Sequence, residues 1–524
     1  MDLPSNSSVP STRLFHLVSG SFRSLSLFLL AFDPARRTIN HVQTISNLGP
    51  HQYVATNQHK DKIFTTTWAQ PPSLQSWSLE RSNSNPWRIS HLNTVPITAT
   101  SSYIDIPPPF THIYSVGGPT GEVHLVDEHL GGFGEKMQEI LFVPKEELPH
   151  ADKTRVALRY GSHGIESTST PAYSLTFVPV LGTDTIEIYS RNLTSGSLTH
   201  LSSSHSPRGP GAHDGPRHVK IHPNGKILYC VTEHSNFVDL YEINTNTTFP
   251  SLTHVASHSL LPDHLQTSSL QYRGDTLLLT PPTPAHPSPY ALFATTRGST
   301  PDMRGWLAIF AIDENGYFSG AGQKGTNNHP TEVVIRHETR TSGGKAHAID
   351  LLTKRKVPSL RSKGPEGNTL MEATFFKATT EDDNDDDDDN DWGTNGDDDD
   401  DDFDTRARIR RAPRTAPTTK AQVRYELDTM VDAWQEQDQG VWILLTDDDE
   451  KIATPSDMLI PHGGVTVLEW DGWGGRGVHA VAEWPEPTYD LRGLNLGGKE
   501  EEDGKAKEDD PEQMLGGSHA IWLD

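Results

Sequence analysis

The sequence predicts an all-β chain folded as a β-propeller, because one stretch has the pattern of a propeller blade and other stretches repeat it. Within residues 215–243, three short strands are predicted at 218–221, 226–232 and 237–243. Asn224 and Gly225 lie between the first two strands and supply the positive φ angles of a tight hairpin turn. A meander of this size cannot bury both of its faces alone, so it needs similar units beside it.

Five other stretches show the same order of strand, turn and strand. They span residues 51–80, 103–128, 172–192, 290–317 and 441–473. Units that recur at roughly 40–60 residues favour a propeller over a sandwich. The copies are too degenerate for the blades to be counted from the repeats themselves.

The predicted propeller has two parts, separated by an insertion. Residues 1–12 form a predicted disordered tail, and residues 13–352 form the first part, which begins with two strands within 13–32. Residues 353–437 lack β periodicity and are predicted to be a disordered acidic and basic insertion. Residues 438–524 form the last part, with a charged loop at 497–513 and a C-terminal strand that we expect to pair with the first blade near residues 13–19.

The acidic balance of the chain comes largely from the insertion. The 524 residues have a formal net charge of −26, and residues 381–404 alone hold 16 acidic side chains and no basic one. Outside that run the protein is only mildly acidic, which argues against nonspecific nucleic-acid binding and leaves room for local basic pockets. We therefore expect no nucleic-acid partner.

The remaining global features point to a cytoplasmic protein without a membrane partner. Cys230 is the single cysteine of the chain, so no intrachain disulfide can form. The apolar run at residues 25–32 is too short to span a membrane and follows no signal-peptide region. The sequence also contains no GxSxG, HExxH, Walker or paired CxxC motif, and the 26 histidines show no metal-ligand spacing.

Several segments resemble one enzyme family. They are GPRHVKIHPNGKILYCVTEHSN (215–236), HLVSGSF (16–22), TRTSGGKAHAI (339–349), WPEP (484–487) and HAIWLD (519–524). The first looks like the signature blade of the lactonase-type propellers, and the C-terminal segments are similar to the fungal carboxy-cis,cis-muconate cyclase branch. The resemblance implies seven blades, no metal, no organic cofactor and a small polycarboxylate or its lactone as substrate, within aromatic catabolism.

The implied reaction defines the residue types that the site needs. One carboxylate of 3-carboxy-cis,cis-muconate adds to a conjugated double bond and closes a lactone, while a proton is delivered to carbon. Arginines suit the substrate carboxylates, and one acid/base group must transfer the proton. By resemblance, Arg217 and Arg297 are the predicted substrate-binding residues, and His163 and Glu233 the predicted catalytic ones.

Some alternatives remain open at this point. The GSHG segment makes His163 the candidate for the family's catalytic histidine, but an ungapped alignment places Tyr173 there. A 6-phosphogluconolactonase-like lactone hydrolase and a non-catalytic interaction platform are rival functions on the same fold. His218, His222 and His234 are interpreted as turn or surface residues. The sequence leaves the exact substrate and the oligomeric state open, a homo-oligomer included.

Overall fold

The fold is known from a computed structural model. It describes residues 13–46, 48–81, 87–168, 174–245, 249–319, 334–354, 440–448, 451–453, 459–461, 463–485 and 514–524. The predicted tail (1–12), nearly all of the predicted insertion (353–437), the charged loop (497–513) and Tyr173 lie outside these residues.

The described strands form seven four-stranded antiparallel sheets, which confirms the prediction of a seven-bladed β-propeller. Blade 1 contains β1 (Phe15–Ser19), β2 (Leu27–Asp33) and β3 (Thr38–Ile45), and blade 2 contains β4 (His51–Thr56), β5 (Lys62–Thr67), β6 (Ser73–Glu80) and β7 (Arg88–Pro96). Blade 3 contains β8 (Tyr103–Asp105), β9 (His112–Gly117), β10 (Thr120–Val126) and β11 (Phe133–Leu141). Blade 4 contains β12 (Glu166–Ser167), β13 (Leu175–Val180), β14 (Thr185–Arg191) and β15 (Leu198–His205).

The last three blades follow the same plan. They contain β16 (Pro216–Ile221), β17 (Ile227–Thr232), β18 (Phe237–Asn244), β19 (Ser251–Ser259), then β20 (Tyr272–Leu279), β21 (Ala291–Gly298), β22 (Trp306–Ala311), β23 (Val334–Glu338), and β24 (Ile349–Thr353), β25 (Val441–Asp447), β28 (Gly464–Trp470), β29 (Val478–Trp484). A two-stranded sheet, β26 (Lys451–Ala453) and β27 (Leu459–Pro461), lies between β25 and β28 in the chain. In the described part of the chain, two 3₁₀ helices occupy Arg155–Arg159 and Asp263–Gln271.

The C-terminal segment completes the first blade. It forms β30 (Ala520–Trp522), which pairs antiparallel with β1 so that Ser19 faces Ala520 and Leu17 faces Trp522. The first blade is therefore assembled from both ends of the described chain, in the order β3-β2-β1-β30. Because β30 supplies its innermost strand, the ring has no unpaired inner edge at this blade.

Apolar side chains hold the blades together. Within the described residues, seven buried clusters lie between neighbouring blades, one at each interface. The central strands are buried on both faces; β2 (LFLLAFD) and β25 (VWILLTD) are buried along their whole length. Such strands appear in the sequence as continuous apolar runs, whereas the outer strand β3 mixes buried and exposed positions.

The boundary of the insertion differs slightly from the prediction. We placed its start at residue 353, but β24 extends through Thr353, and Lys354 donates its backbone N–H to the carbonyl oxygen of Gly440 at 3.0 Å. The strand continues because Leu351 and Thr353 pair with Ile443 and Val441 of β25. Residues 354 and 440 are thus neighbours at the end of one hairpin.

Candidate active site

A cavity lies on the propeller axis, near the start of the inner strands. Its volume is about 40 Å³. Every blade contributes at least one lining residue; in chain order of the blades, one from each is His519, Tyr53, Ser102, His163, Arg217, Asp275 and Lys345. The central cavity of a propeller is the place where residues far apart in sequence come close together.

Backbone irregularities direct several of these side chains into the cavity. The ladder between β16 and β17 shifts register between Pro216 and His218, which makes Arg217 the extra residue of a β-bulge. Comparable shifts occur in β4 around Tyr53 and in β20 around Asp275. Bulges redirect a side chain from the regular alternation of a strand and are common beside active sites. Three inner strands therefore depart from regularity where they meet the cavity.

Arg217, Glu233, Asp275 and Arg297 form a charged group that we term the arginine cluster. Arg217 Nη1 lies 2.7 Å from Glu233 Oε2, and its Nη2 lies 2.8 Å from Asp275 Oδ1. Its Nε also donates to the backbone carbonyl of Asp275 at 2.9 Å. Arg297 reaches the same two carboxylates, with Nη2 3.4 Å from Glu233 Oε1 and Nε 3.0 Å from Asp275 Oδ1. Two guanidinium groups thus share two carboxylates, of which Asp275 is buried and Glu233 half-buried.

The arginine cluster is paired in charge but incompletely hydrogen-bonded. Arg297 Nε and Asp275 Oδ1 are close and buried, yet neither has an aligned hydrogen-bond partner. A guanidinium group also has more N–H donors than Arg217 uses in its three contacts. Donors that remain on buried arginines can bind a carboxylate or another oxyanion.

Glu233 is ionised in this setting. Burial opposes its negative charge, but Arg217 and Arg297 outweigh that effect and lower the pKa of Glu233 to about 2. The pKa of Asp275 is lowered as well, because the same two arginines and the backbone N–H of His347 outweigh its burial. Neither carboxyl group holds a proton at neutral pH in the unliganded site.

His163 lies in the loop before β12 and is 7% exposed. Its Nε2 is 2.6 Å from the backbone carbonyl oxygen of Leu158, and since a carbonyl can only accept, Nε2 carries the ring hydrogen. Burial and the charge of Arg217 lower the pKa of His163 to about 3. The imidazole is therefore neutral, and its Nδ1 has a lone pair available to accept a proton.

The structure brings the four predicted residues together. His163 and Arg217 line the cavity, Glu233 contacts Arg217, and Arg297 contacts Glu233. The sequence analysis missed Asp275, Lys345 and His519. Lys345 and His519 lie in the TRTSGGKAHAI and HAIWLD segments, whose resemblance was noticed without a role for either side chain, while Asp275 lies in no recognisable motif.

One of the three histidines assigned to turns or the surface lies elsewhere. His218 lines the cavity, and its Nδ1 is 3.0 Å from the Thr276 hydroxyl. His222 does lie at the turn, where its carbonyl oxygen accepts the N–H of Gly225 at 2.8 Å, but it is buried there, with 1% of its surface exposed. His218 faces inward because it follows the bulged Arg217, a feature that the sequence pattern does not reveal. His234 is half-buried at the turn, as interpreted, and its Nδ1 is 3.0 Å from the His213 carbonyl.

A second polar group, which we term the lysine cluster, is built from other inner-strand residues: Tyr103, Asp105, Glu166 and Lys220. Lys220 Nζ lies 2.7 Å from Glu166 Oε2 and 3.2 Å from the Tyr103 hydroxyl. Burial and the charge of Glu166 raise the pKa of Asp105 to about 7. Tyr53, which lines the cavity, packs its ring 4.3 Å from the ring of Tyr103 and so links the two regions.

Fold and site define a seven-bladed β-propeller with a charged, histidine-lined cavity on its axis. The chain belongs to the lactonase family of seven-bladed β-propellers, whose model matches residues 17–340. In the part of the chain that the structure describes, no helix is long and apolar enough to cross a membrane. Nor do the described side chains include a group of three or more His, Cys, Asp or Glu that could hold a metal ion.

Known proteins similar to this chain include both cyclases and lactone hydrolases. Muconate cycloisomerase 1 of Cutaneotrichosporon cutaneum is 26% identical over 365 residues, which cover 69% of this chain and 87% of that protein. Carboxy-cis,cis-muconate cyclase of Neurospora crassa is 29% identical over 30% of this chain and 39% of its own length. A 6-phosphogluconolactonase of Bacillus subtilis is 26% identical over 42% of this chain and 59% of its own length. The relatives are enzymes that form or open lactones or related rings, which supports an enzyme in general.

Proposed function

We propose that this protein is a cofactor-independent cycloisomerase that interconverts a muconate-type polycarboxylate and its lactone. The observation that carries the proposal is the arrangement of the buried Arg217 and the half-buried Arg297, two arginines with remaining donors, beside the neutral imidazole of His163. The likeness to muconate cycloisomerase 1 over 87% of that protein's length supports the same reaction class. Because the chain has one cysteine and cannot form an intrachain disulfide, the cytoplasm is the location that we favour for the protein.

The arginines provide the carboxylate binding that such a substrate needs. Arg217 and Arg297 are positioned by Glu233 and Asp275, which fixes the guanidinium planes before a ligand arrives. The donors left over then bind substrate carboxylates, preferably in pairs of parallel hydrogen bonds. Lys345, which also lines the cavity and pairs with Asp448 at 3.0 Å, adds a third cation near the entrance.

His163 carries the proton in this scheme. In ring closure a carboxylate oxygen forms a bond to a diene carbon, the π electrons shift toward the neighbouring carboxylate, and the adjacent carbon takes a proton from the imidazolium. In the reverse direction Nδ1 of neutral His163 accepts that proton. Glu233 favours the imidazolium form by its negative charge, whereas Arg217 and Arg297 disfavour it.

Substrate binding changes that balance. The unliganded pKa of His163, about 3, is low because of burial first and then the nearby arginine charge. Substrate carboxylates that pair with Arg217 and Arg297 compensate this charge, and so raise the pKa of His163 toward the range of a proton donor.

A lactone hydrolase is the second candidate, and one observation favours it. His163 is already neutral with Nδ1 unprotonated, which is the state that a general base needs to activate water. The likeness to a 6-phosphogluconolactonase over 59% of that protein's length points to the same chemistry.

The test is a pair of assays on the purified full chain. Loss of the diene absorbance of 3-carboxy-cis,cis-muconate reports cyclisation, and acid release from 6-phosphogluconolactone reports hydrolysis. We expect cyclisation in the wild type and a loss of at least about 10³-fold in Arg217→Ala, because both the binding and the orientation of the carboxylate are lost.

Arg304→Ala is the matched control for the arginine change. Arg304 is 58% exposed and its contact with Glu338 is 3.5 Å long, so its removal should leave turnover unchanged. Hydrolysis without cyclisation by a folded wild-type protein would replace the cycloisomerase by the hydrolase. Turnover of neither substrate would refute both assignments.

A further inference from the structure

His519 occupies a fixed position at the cavity, immediately before the strand that closes the ring. Its backbone carbonyl accepts the N–H of Gly20 at 2.9 Å, and the N–H of the preceding Ser518 bonds to the carbonyl of Gly20 at 3.1 Å. Its ring stacks on Tyr53, with centroids 4.1 Å apart and planes at 17°. Backbone pairing and ring stacking together hold the imidazole in one orientation.

The ring nitrogens of His519 have distinct roles. The backbone N–H of Val54 donates to Nδ1 at 3.3 Å, so Nδ1 must be an acceptor without a hydrogen. Burial lowers the pKa of His519 to about 4, so the ring is neutral and Nε2 carries its hydrogen. Among the described residues no protein group accepts this Nε2–H, and His519 lines the cavity.

His163 has the opposite arrangement on another side of the same cavity. Its Nε2–H is used by the carbonyl of Leu158, which leaves Nδ1 as an acceptor. His163 and His519 are thus two of the three imidazoles that line the cavity, His218 being the third, and backbone groups fix their hydrogens in opposite senses: one ring can accept a proton and the other can donate a hydrogen bond. This complementary pair is suited to a ligand that has both an oxygen acceptor and a reacting C–H group.

We propose that His519 contacts the substrate, with its Nε2–H donating a hydrogen bond to the oxygen on which negative charge develops. The inference rests on the proposed function, which identifies that oxygen as one of the conjugated carboxylate. As the new C–O bond forms, the π electrons move onto this carboxylate, and a fixed donor stabilises the enolate-like charge. His519 keeps its hydrogen throughout, and the proton that reaches carbon comes from His163.

Two substitutions separate donation from packing. In His519→Asn the side-chain oxygen can replace Nδ1 as acceptor for Val54 N–H, while the donor at the position of Nε2 is lost. In His519→Gln the longer side chain returns an N–H to the position of Nε2. We expect the Asn variant to lose about 10²-fold in kcat/KM and the Gln variant to recover part of that loss.

The exposed His264→Asn serves as control and should behave as the wild type. Thermal unfolding of each variant shows whether β30 still closes the ring. A folded Asn variant within about threefold of wild-type turnover would overturn the inference, since removal of a catalytic hydrogen-bond donor should cost more.

Binding of tricarballylate, an unreactive tricarboxylate, keeps this test separate from that of the proposed function. If the wild type cyclises nothing, the proposed function fails, and calorimetric titration then decides the role of His519. A Kd weakened about tenfold in His519→Asn supports donation to a ligand oxygen. An unchanged Kd, or no binding by the wild type, contradicts it.

Discussion

The arginine cluster and the lysine cluster both include inner-strand residues, and β16 supplies a cation to each. Arg217 meets Glu233 and Asp275, and Arg297 balances the second carboxylate. Lys220 meets Glu166, and the charges of Lys220 and Arg191 do not outweigh burial and the charge of Glu166, which raise the pKa of Asp105 to about 7. One cluster has equal numbers of cations and anions, and the other has an excess of carboxyl groups.

The difference teaches where an anionic substrate can bind. Carboxylates of a substrate gain from the remaining arginine donors but are repelled by Glu166 and an ionised Asp105. If the proposed function holds, we expect the arginine cluster to bind a polyanion beside His163 and the lysine cluster to limit how far that polyanion enters the axis of the propeller. We expect substitutions in the lysine cluster to affect mainly stability, and substitutions in the arginine cluster to affect both stability and turnover.

The largest expected effect comes from a matched pair, Arg217→Met and Lys220→Met. Arg217→Met leaves Arg297 as the one cation of the cluster for both Glu233 and Asp275, which costs about 3 kcal/mol of unfolding free energy. Lys220→Met removes the ion-pair partner of Glu166 and costs less, because the Lys220 side chain is 21% exposed. Turnover should fall at least about 10³-fold in the first variant and stay within about fivefold in the folded fraction of the second. Denaturant titration and the diene assay measure the two effects; equal losses of turnover would contradict the distinction.

A smaller effect should distinguish the clusters by pH. The pKa of Glu233 is about 2 in the folded protein against a reference of 4.5, so its contribution to stability is present above pH 4.5 and lost as the pH falls toward 2. The pKa of Asp105 is raised from 3.8 to about 7, so its contribution is present below pH 3.8 and lost as the pH rises through 7.

Asn and Gln substitutions measure these opposite slopes. Glu233→Gln should destabilise the protein by about 2–3 kcal/mol at pH 7, and the difference should shrink on acidification. Asp105→Asn should instead stabilise it by about 1–3 kcal/mol at pH 8, with the gain disappearing toward pH 4. Urea titrations across this pH range give the stability difference between each variant and the wild type. If both differences changed with pH in the same direction, the contrast between the two clusters would be wrong.

The smallest effect is expected from a change remote from both clusters. Lys354 and Gly440 are hydrogen-bonded neighbours at 3.0 Å, so residues 356–438 can be replaced by a short glycine-serine turn without separating β24 from β25. Turnover and the midpoint of unfolding should remain close to those of the wild type. A large loss of stability would mean that this segment contributes to the propeller.

The fold was predictable because propeller blades are local units. The meander around Asn224-Gly225 and the apolar run of β2 both signal strands from residues close in sequence. The number of blades could be predicted only from the family resemblance. Outer strands such as β7 and β19 mix polar and apolar residues, which makes the repeat difficult to recognise in the sequence. The position of the C-terminal strand followed from the need to close the ring.

The site was only partly predictable. Arg217 and Glu233 lie in one signature segment, so a local pattern indicates both. Asp275 and His519 reach the same cavity through other blades, and the bulge that turns Asp275 inward depends on how β20 pairs with β21. A single sequence contains no local signal for contacts of this range, nor for the backbone partners that determine the tautomers of His163 and His519.

The closure of the first blade by β30 also has a consequence for biosynthesis. This strand follows all the other described strands in the chain, so it emerges from the ribosome after the remaining blades are available to fold. Because His519 immediately precedes β30, the cavity lacks one of its three imidazoles until that strand has paired with β1. A prematurely terminated chain would have most of its blades and both arginines but an unfinished pocket, so catalytic competence would be restricted to polypeptides whose translation had passed this strand.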